Sequence, residues 1–358
     1  MPAEAFWRDR RVLVTGHTGF KGSWLVLWLR EMGAEVYGYA LDPPTSPALF
    51  ELAGVADALS DEQRSDLRDA EALDRALARA RPEVVFHLAG QSLVREGHAR
   101  PLETFSVNVM GTAHLLDCLR GRDDLRAVVL ATSDKCYAPG PWPYPCREID
   151  PLGGQTPYEA SKAGAELVAT AYRASYFADP PRAARLATAR AGNVIGGGDW
   201  ARDRLVPDCV RAFDAGTAVR LRHPHSIRPW QHVLEPLSGY LRLAECLCSP
   251  EGERFATAWN FGPEAGREAS VLTVARAMAA AWGPEATVEV DPERSDIAET
   301  QVLRIDSTRA RDLLGWSPRW PFARVLEETA AWYRIWRDGG DLRRETLAQI
   351  TRYRDSTA

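Results

Sequence analysis

A chain of 358 residues with 45% hydrophobic content has room for two domains, or for one large domain with a lobe, around a sizeable core. Its net charge of −5 comes without a basic stripe, which argues against a nucleic-acid partner, and no apolar run is long enough to serve as a leader or to span a bilayer. A soluble, cytoplasmic protein is therefore expected. Its six scattered cysteines are read as free thiols, and no CxxC pair or histidine spacing suggests a metal. The positive charge is skewed. Of 44 basic residues only Lys21, Lys135 and Lys162 are lysines, and the rest are arginines. Arginine cannot give up its proton, so lysine kept at three positions marks places where an ammonium group has a use that arginine cannot serve.

In chain order, Arg11–Thr15 reads as a buried strand. The glycine-rich turn Gly16-His17-Thr18-Gly19-Phe20-Lys21-Gly22 follows it, and then an apolar helix that ends at Gly33. Strand, glycine turn and helix form the first half of a βαβ unit. Gly16, Thr18, Gly19, Phe20 and Gly22 are candidates to cradle a dinucleotide pyrophosphate at the helix N-terminus. The spacing is GxxGxxG rather than GxGxxG. Lys21 either neutralises phosphate or caps a solvated turn. A second strand, from Glu35 to Leu41, ends at Asp42, which is either a ligand of the adenosine ribose or a turn residue ahead of Pro43-Pro44.

Ser65–Asp69 reads as a strand end at which Asp66, with Leu67, meets the adenine. A helix over 69–80 leads to a buried strand, EVVFHLAG, closed by Gly90-Gln91-Ser92. This strand places Leu88, Ala89 and Gln91 at the cofactor edge of the sheet. Asn108–Thr112 is expected to open another helix. The strand in LRAVVLATSDKCY ends in Ser133, Asp134 and Lys135, and chemistry in an open parallel sheet sits at the carboxyl ends of strands.

Pro157-Tyr158-Glu159-Ala160-Ser161-Lys162 then puts Tyr158 and Lys162 one turn apart on one helix face. A phenol titrates near ~10, and an ammonium beside it is expected to favour the phenolate. The same spacing occurs by chance on many helices, so its weight comes from its neighbours in the chain. Arg185–Ala191 forms the next strand and runs into Gly192–Trp200. The Gly-, Arg- and Pro-rich stretch 193–225 looks like the start of a substrate lobe, with Arg202, Arg204, Arg220, Arg222 and Arg228 as candidate phosphate clamps. His223-Pro224-His225 reads as a surface loop. Helices are expected in LSGYLRLAECL, over 271–282 and over 323–337. The expected fold is α/β: a Rossmann-like, doubly wound parallel sheet over 1–190 and a smaller C-terminal substrate-binding lobe over 191–358, with segments near 227–260 returning to the first domain.

The stretches TGHTGFKGSW, TSDKCY, PYEASKAGAE, RAGNVIGGGDW and RPWQHVLEPL resemble the extended short-chain dehydrogenase/reductases and, within them, the CDP-glucose 4,6-dehydratases. The resemblance runs from about residue 8 to 320, and the tail from roughly 340 adds nothing to it. It implies a tightly held NAD, a nucleotide sugar (CDP-glucose) as substrate, and a homodimer or dimer of dimers built on helices of this sheet. It also implies roles. Tyr158 would take the C4 hydroxyl proton while hydride passes to NAD. Lys162 would hold the phenolate and the nicotinamide ribose, and Ser133 would orient the C4 oxygen. Lys135 would remove the C5 proton, Asp134 would protonate the departing C6 hydroxyl, and hydride would return to C6. The related dTDP-glucose enzymes have Glu where this chain has Lys135, and a lysine base must lose its charge to act. The other reading of Lys135 is a salt bridge to Asp134 or Glu148. Asn193 matches a family position facing the substrate phosphates, with Arg204 and Arg228 as the next candidates. The acidic residue that the family carries after its second strand is not clearly reproduced, so the role of Asp42 stays open. A 4-epimerase or 4-ketoreductase would need Ser133, Tyr158 and Lys162 but not the Asp134-Lys135 pair. A cofactor-sensing regulator would have lost the tyrosine or the lysine.

Overall fold

In the computed structural model, the structure describes residues 1–140, 144–178, 184–264, 266, 268–291 and 303–356. Seven short strands build the main sheet: β1 (Arg11–Thr15), β2 (Glu35–Ala40), β3 (Asp61–Arg64), β4 (Val84–His87), β5 (Ala127–Ala131), β6 (Arg185–Arg190) and β7 (Ala258–Asn260). They are parallel throughout, in the order β7-β6-β5-β4-β1-β2-β3. The central strands are buried on both faces, which is why β4 and β5 read as unbroken apolar runs rather than as alternation. Val12 and Val14 point into one core, and Leu13 into the other. The chain winds outward from β1 to β3, then resumes on the other side at β4. This reversal opens a crevice at the carboxyl ends of β1 and β4.

Sequence and structure agree closely where the pattern is local. The helix after β1 spans Phe20–Glu31, with Trp24 to Leu29 all buried, as expected of a helix apolar on every side. Helices form at Val271–Trp282 and Phe322–Arg337. The helix carrying Tyr158 runs from Pro157 to Tyr176. It begins with proline in its first turn and with a capping box: Thr156 Oγ1 accepts from Glu159 N, and Glu159 Oε2 accepts from Thr156 N. Beyond β6, helix Leu205–Asp214 interrupts the 193–225 stretch, helix Leu234–Cys248 packs on β5 and β6, and β7 joins the sheet edge. No helix among the described residues is long and apolar enough to cross a membrane.

Two expectations need correction, and one element was not expected at all. The helix expected to open at Asn108 begins earlier: Pro101–Phe105 runs through a π turn at Ser106–Met110 into Gly111–Leu119, so Asn108 is interior. The strand end expected at Ser65–Asp69 lies at Asp61–Arg64; DEQR is an edge strand too polar to stand out by hydrophobicity. The C-terminal stretch, silent in the sequence, is a helix over Leu342–Asp355 capped by Asp341, and it buries Ile350 and Tyr353.

Candidate active site

At the end of β1 the backbone turns at Gly16 with φ +75°, and a Cβ there would stand 2.6 Å from Ala89 N. A Cβ on Gly22 would sit 2.1 Å from Gly16 O, so both positions require glycine. Gly19 caps the helix without a side-chain acceptor, leaving the first-turn amides from Phe20 onward for an anion. Thr18 Oγ1 donates to Leu41 O at 2.9 Å and pins this turn to the end of β2. Leu88 and Ala89 are tied to Thr15 through N–H···O bonds of 3.0 and 3.3 Å. These residues form a glycine-lined cradle at the helix N-terminus that could hold a dinucleotide pyrophosphate.

Farther out, the exposed Asp42 accepts from Arg64 Nη1 at 3.2 Å. The two, with Pro43, Pro44 and Phe50, line a cavity of about 490 Å³. Asp66 sits in a turn rather than on a strand, and its carboxylate is gripped by Arg68, with Nε at 2.9 Å. Leu67 is buried against Gly111. The Gln91 amide nitrogen donates to Thr104 Oγ1 at 2.9 Å.

Ser133, Asp134 and Lys135 leave β5 in a 3-10 turn. Ser133 Oγ accepts from Lys135 N at 3.2 Å and donates to Asp134 Oδ1 at 3.1 Å. Asp134 is buried, and its Oδ2 has no hydrogen-bond partner among the described residues. A Cβ on Gly192 would stand 1.6 Å from that oxygen, which is why RAGN carries glycine there. Burial pushes the Asp134 carboxyl up, against the charges of Lys135, Arg228 and Lys21. Lys135 is half-buried and, among the described residues, makes no ion pair with Asp134 or Glu148; Glu148 instead accepts from Asn260 N at 2.9 Å.

Tyr158 faces this turn. Burial pushes its phenol up to about 12, opposed by the neighbouring Ser133 hydroxyl and the charge of Arg204. The expected lowering by Lys162 is not seen: the cation that acts on the phenol is Arg204, and desolvation of the buried phenolate outweighs it. Lys162 is itself lowered to about 8 by burial. Lys21 also falls to about 8, by burial and by the charges of Arg204 and Lys162. Lys21 therefore stands near Lys162, Arg204 and Asp134 in the crevice rather than on a solvated turn, and Lys135 lies beside Asp134.

Among the residues proposed for substrate, Asn193 adopts φ +46° beside the short strand Val194–Ile195. Arg204 joins Asp199 Oδ2 and Ser92 Oγ, each at 2.9 Å, across the mouth of the crevice. Arg228 is buried near Asp134. Arg220 and Arg222 pair instead with Glu289 and Asp203 near the surface, and Arg202 is exposed.

Sequence reasoning missed two supports. The Asn108 side chain accepts from Gln91 N at 2.9 Å and donates to Ser161 Oγ at 2.8 Å, holding the strand end against the Tyr158 helix. Glu166, one turn past Lys162, forms a buried ion pair with Arg190 at 2.9 Å and accepts from Thr132 and Thr188 at 2.5 and 2.8 Å. Burial raises the Glu166 carboxyl, and Arg190 overrides it to hold the group below its usual value. A glutamate on a helix face otherwise lined with alanine was the available signal.

The GDP-mannose 4,6 dehydratase family matches residues 13–329 of the chain. A CDP-glucose 4,6-dehydratase of Salmonella typhimurium is 47% identical over 356 residues, covering 98% of each chain. A UDP-glucose 4-epimerase of Mycolicibacterium smegmatis is 30% identical over 90% of this chain and 98% of its own. A dTDP-glucose 4,6-dehydratase structure from Streptomyces venezuelae, solved with NAD, superposes with TM-score 0.76 at 26% identity, covering 92% of this chain and 99% of that one.

Proposed function

The chain belongs to the GDP-mannose 4,6 dehydratase family, and on that basis we propose that it converts CDP-glucose, with NAD, to CDP-4-dehydro-6-deoxyglucose and water. The observation that carries the reading is the Asp134-Lys135 pair at the tip of β5, facing Tyr158. An epimerase or a ketoreductase on this fold has no use for an acid and a base there. The glycine cradle, with Asp66, Leu67, Leu88, Ala89 and Gln91 along its rim, holds the dinucleotide. NAD, when bound, accepts the hydrogen from C4 and gives it back at C6.

The side chains do the rest. Tyr158 takes the C4 hydroxyl proton, with Ser133 orienting the oxygen and Lys162 holding the phenolate. The resulting ketone acidifies the C5 proton, which Lys135 removes, Asp134 protonates the C6 hydroxyl as it leaves, and Lys135 returns a proton to C5 once C6 is reduced. Asn193, Arg204 and Arg228 bind the diphosphate. The site of action is the cytoplasm, in keeping with six free cysteines. The protein assembles as a homodimer through the Pro101–Leu119 stretch and the Tyr158 helix, where Leu102, Met110 and Leu167 are 84%, 51% and 61% exposed.

Incubation with CDP-glucose and NAD tests the reading. A dehydratase yields a keto-deoxy sugar lighter by one water, whereas an epimerized product of unchanged mass would overturn it.

A further inference from the structure

The reaction proposed above leaves protons on the wrong residues. Tyr158 finishes C4 oxidation one proton richer, and Asp134 finishes the C6 expulsion one proton poorer. Both are buried, so neither exchanges freely with solvent. Yet the two demands cancel: the sugar loses one proton at its C4 hydroxyl, and the water leaving C6 needs one. A single group stands between the two residues. Ser133 Oγ donates to Asp134 Oδ1 at 3.1 Å, is fixed by the Lys135 amide at 3.2 Å, and stands close enough to the Tyr158 phenol to shift its proton affinity. A hydroxyl donates and accepts at once, so it can receive a proton on one side while releasing another. We propose that Ser133 carries the C4 hydroxyl proton from Tyr158 to Asp134, so that the proton removed at C4 departs in the water expelled from C6.

The step balances. The Tyr158 O–H bond breaks as a new O–H forms on Ser133, whose original O–H breaks as one forms on Asp134 Oδ1. No electrons change hands, and both residues return to their starting state. The groups facing Asp134 suit it to receive the proton late. Lys135 comes from its own turn, Arg228 from the short strand Ile227–Arg228, Lys21 from helix Phe20–Glu31, and Tyr240 from helix Leu234–Cys248. Burial raises the Asp134 carboxyl towards the Tyr158 phenol, which burial holds at about 12, so the gap between donor and acceptor narrows from the Asp134 side. Expulsion of water consumes the proton and draws the transfer forward.

This inference rests on the dehydratase reading, and the test separates the two. Turnover of CDP-glucose is followed across pH for the wild type, Ser133→Ala and Ser133→Thr, alongside an ultraviolet tyrosinate titration of each protein alone. In Ser133→Ala, Asp134 must be recharged from water. Its kcat then falls about tenfold per pH unit as pH rises, with reduced dinucleotide accumulating, and the Tyr158 tyrosinate signal moves to higher pH. Ser133→Thr keeps the hydroxyl and restores the wild-type profile. A Ser133→Ala loss of the same factor at every pH, without accumulation, would mean that Ser133 only orients the C4 oxygen and overturns the relay alone. An inactive wild type overturns both.

Discussion

Lys135 and Arg190 show how differently two cations serve at one site. Lys135 is half-buried and, among the described residues, pairs with neither Asp134 nor Glu148, so its amino group is not committed to either acid. Lys135→Arg keeps the charge and cannot act as a base. It is expected to oxidise C4 and stop there, with turnover down by about 10²-fold or more and reduced dinucleotide accumulating on the protein. Wild-type turnover by this variant would remove Lys135 from the mechanism. Arg190, in contrast, is locked to Glu166 and donates to Tyr137 Oη at 2.9 Å; Tyr137 in turn donates to Asn260. Removing one partner strands a buried charge. Arg190→Met is therefore expected to cost about 3–5 kcal/mol, read by denaturant unfolding, with Arg190→Met/Glu166→Leu recovering part of the loss. The two residues lie 24 positions apart, so no local pattern announces the pair.

Helices were legible where their signals are local. The one-turn spacing of Tyr158 and Lys162 fitted the Tyr158 helix, whose start carries Pro157 and the Thr156/Glu159 box, and Gly33 closed the first one. The helix Leu342–Asp355 escaped notice because its surface is mostly charged and its purpose lies elsewhere in the chain. Tyr353 Oη donates to Glu235 Oε2 at 2.6 Å, and the Trp320 amide donates to Glu235 Oε1 at 2.8 Å. Burial pushes the Glu235 carboxyl up from 4.5 to about 7, against these donors. The folded protein thus holds a proton that the unfolded chain has lost, so Glu235 subtracts stability as pH rises from about 4.5 to about 7. Glu235→Gln is expected to flatten the fall in Tm across this window relative to the wild type. An identical pH slope in both proteins would show that Glu235 does not set it.

At the scale of the whole molecule, one sheet order explains why residues far apart in sequence meet. The reversal between β1 and β4 brings the glycine cradle, the β5 tip and the Tyr158 helix to one crevice, and the return of β7 to the sheet edge sets Asn260 behind them. The fold class, the glycine turn after β1 and the polar tip of β5 were readable from strand ends and motif spacing. Asn108 inside a π turn and the Ser92–Arg204–Asp199 bridge were not, because they depend on which loops the fold brings face to face. The exposed leucines on adjacent helices give a further expectation. Leu102→Asp/Leu167→Asp should convert a dimer to a monomer by light scattering, and an unchanged mass would place the interface elsewhere. The account as a whole turns on one bond, the C5–H that opens and closes while the sugar is oxidised. Turnover of CDP-glucose in heavy water, read by mass spectrometry and NMR, should give a 4-keto-6-deoxy product carrying deuterium at C5. A product with an intact C6 hydroxyl and no solvent deuterium would contradict it.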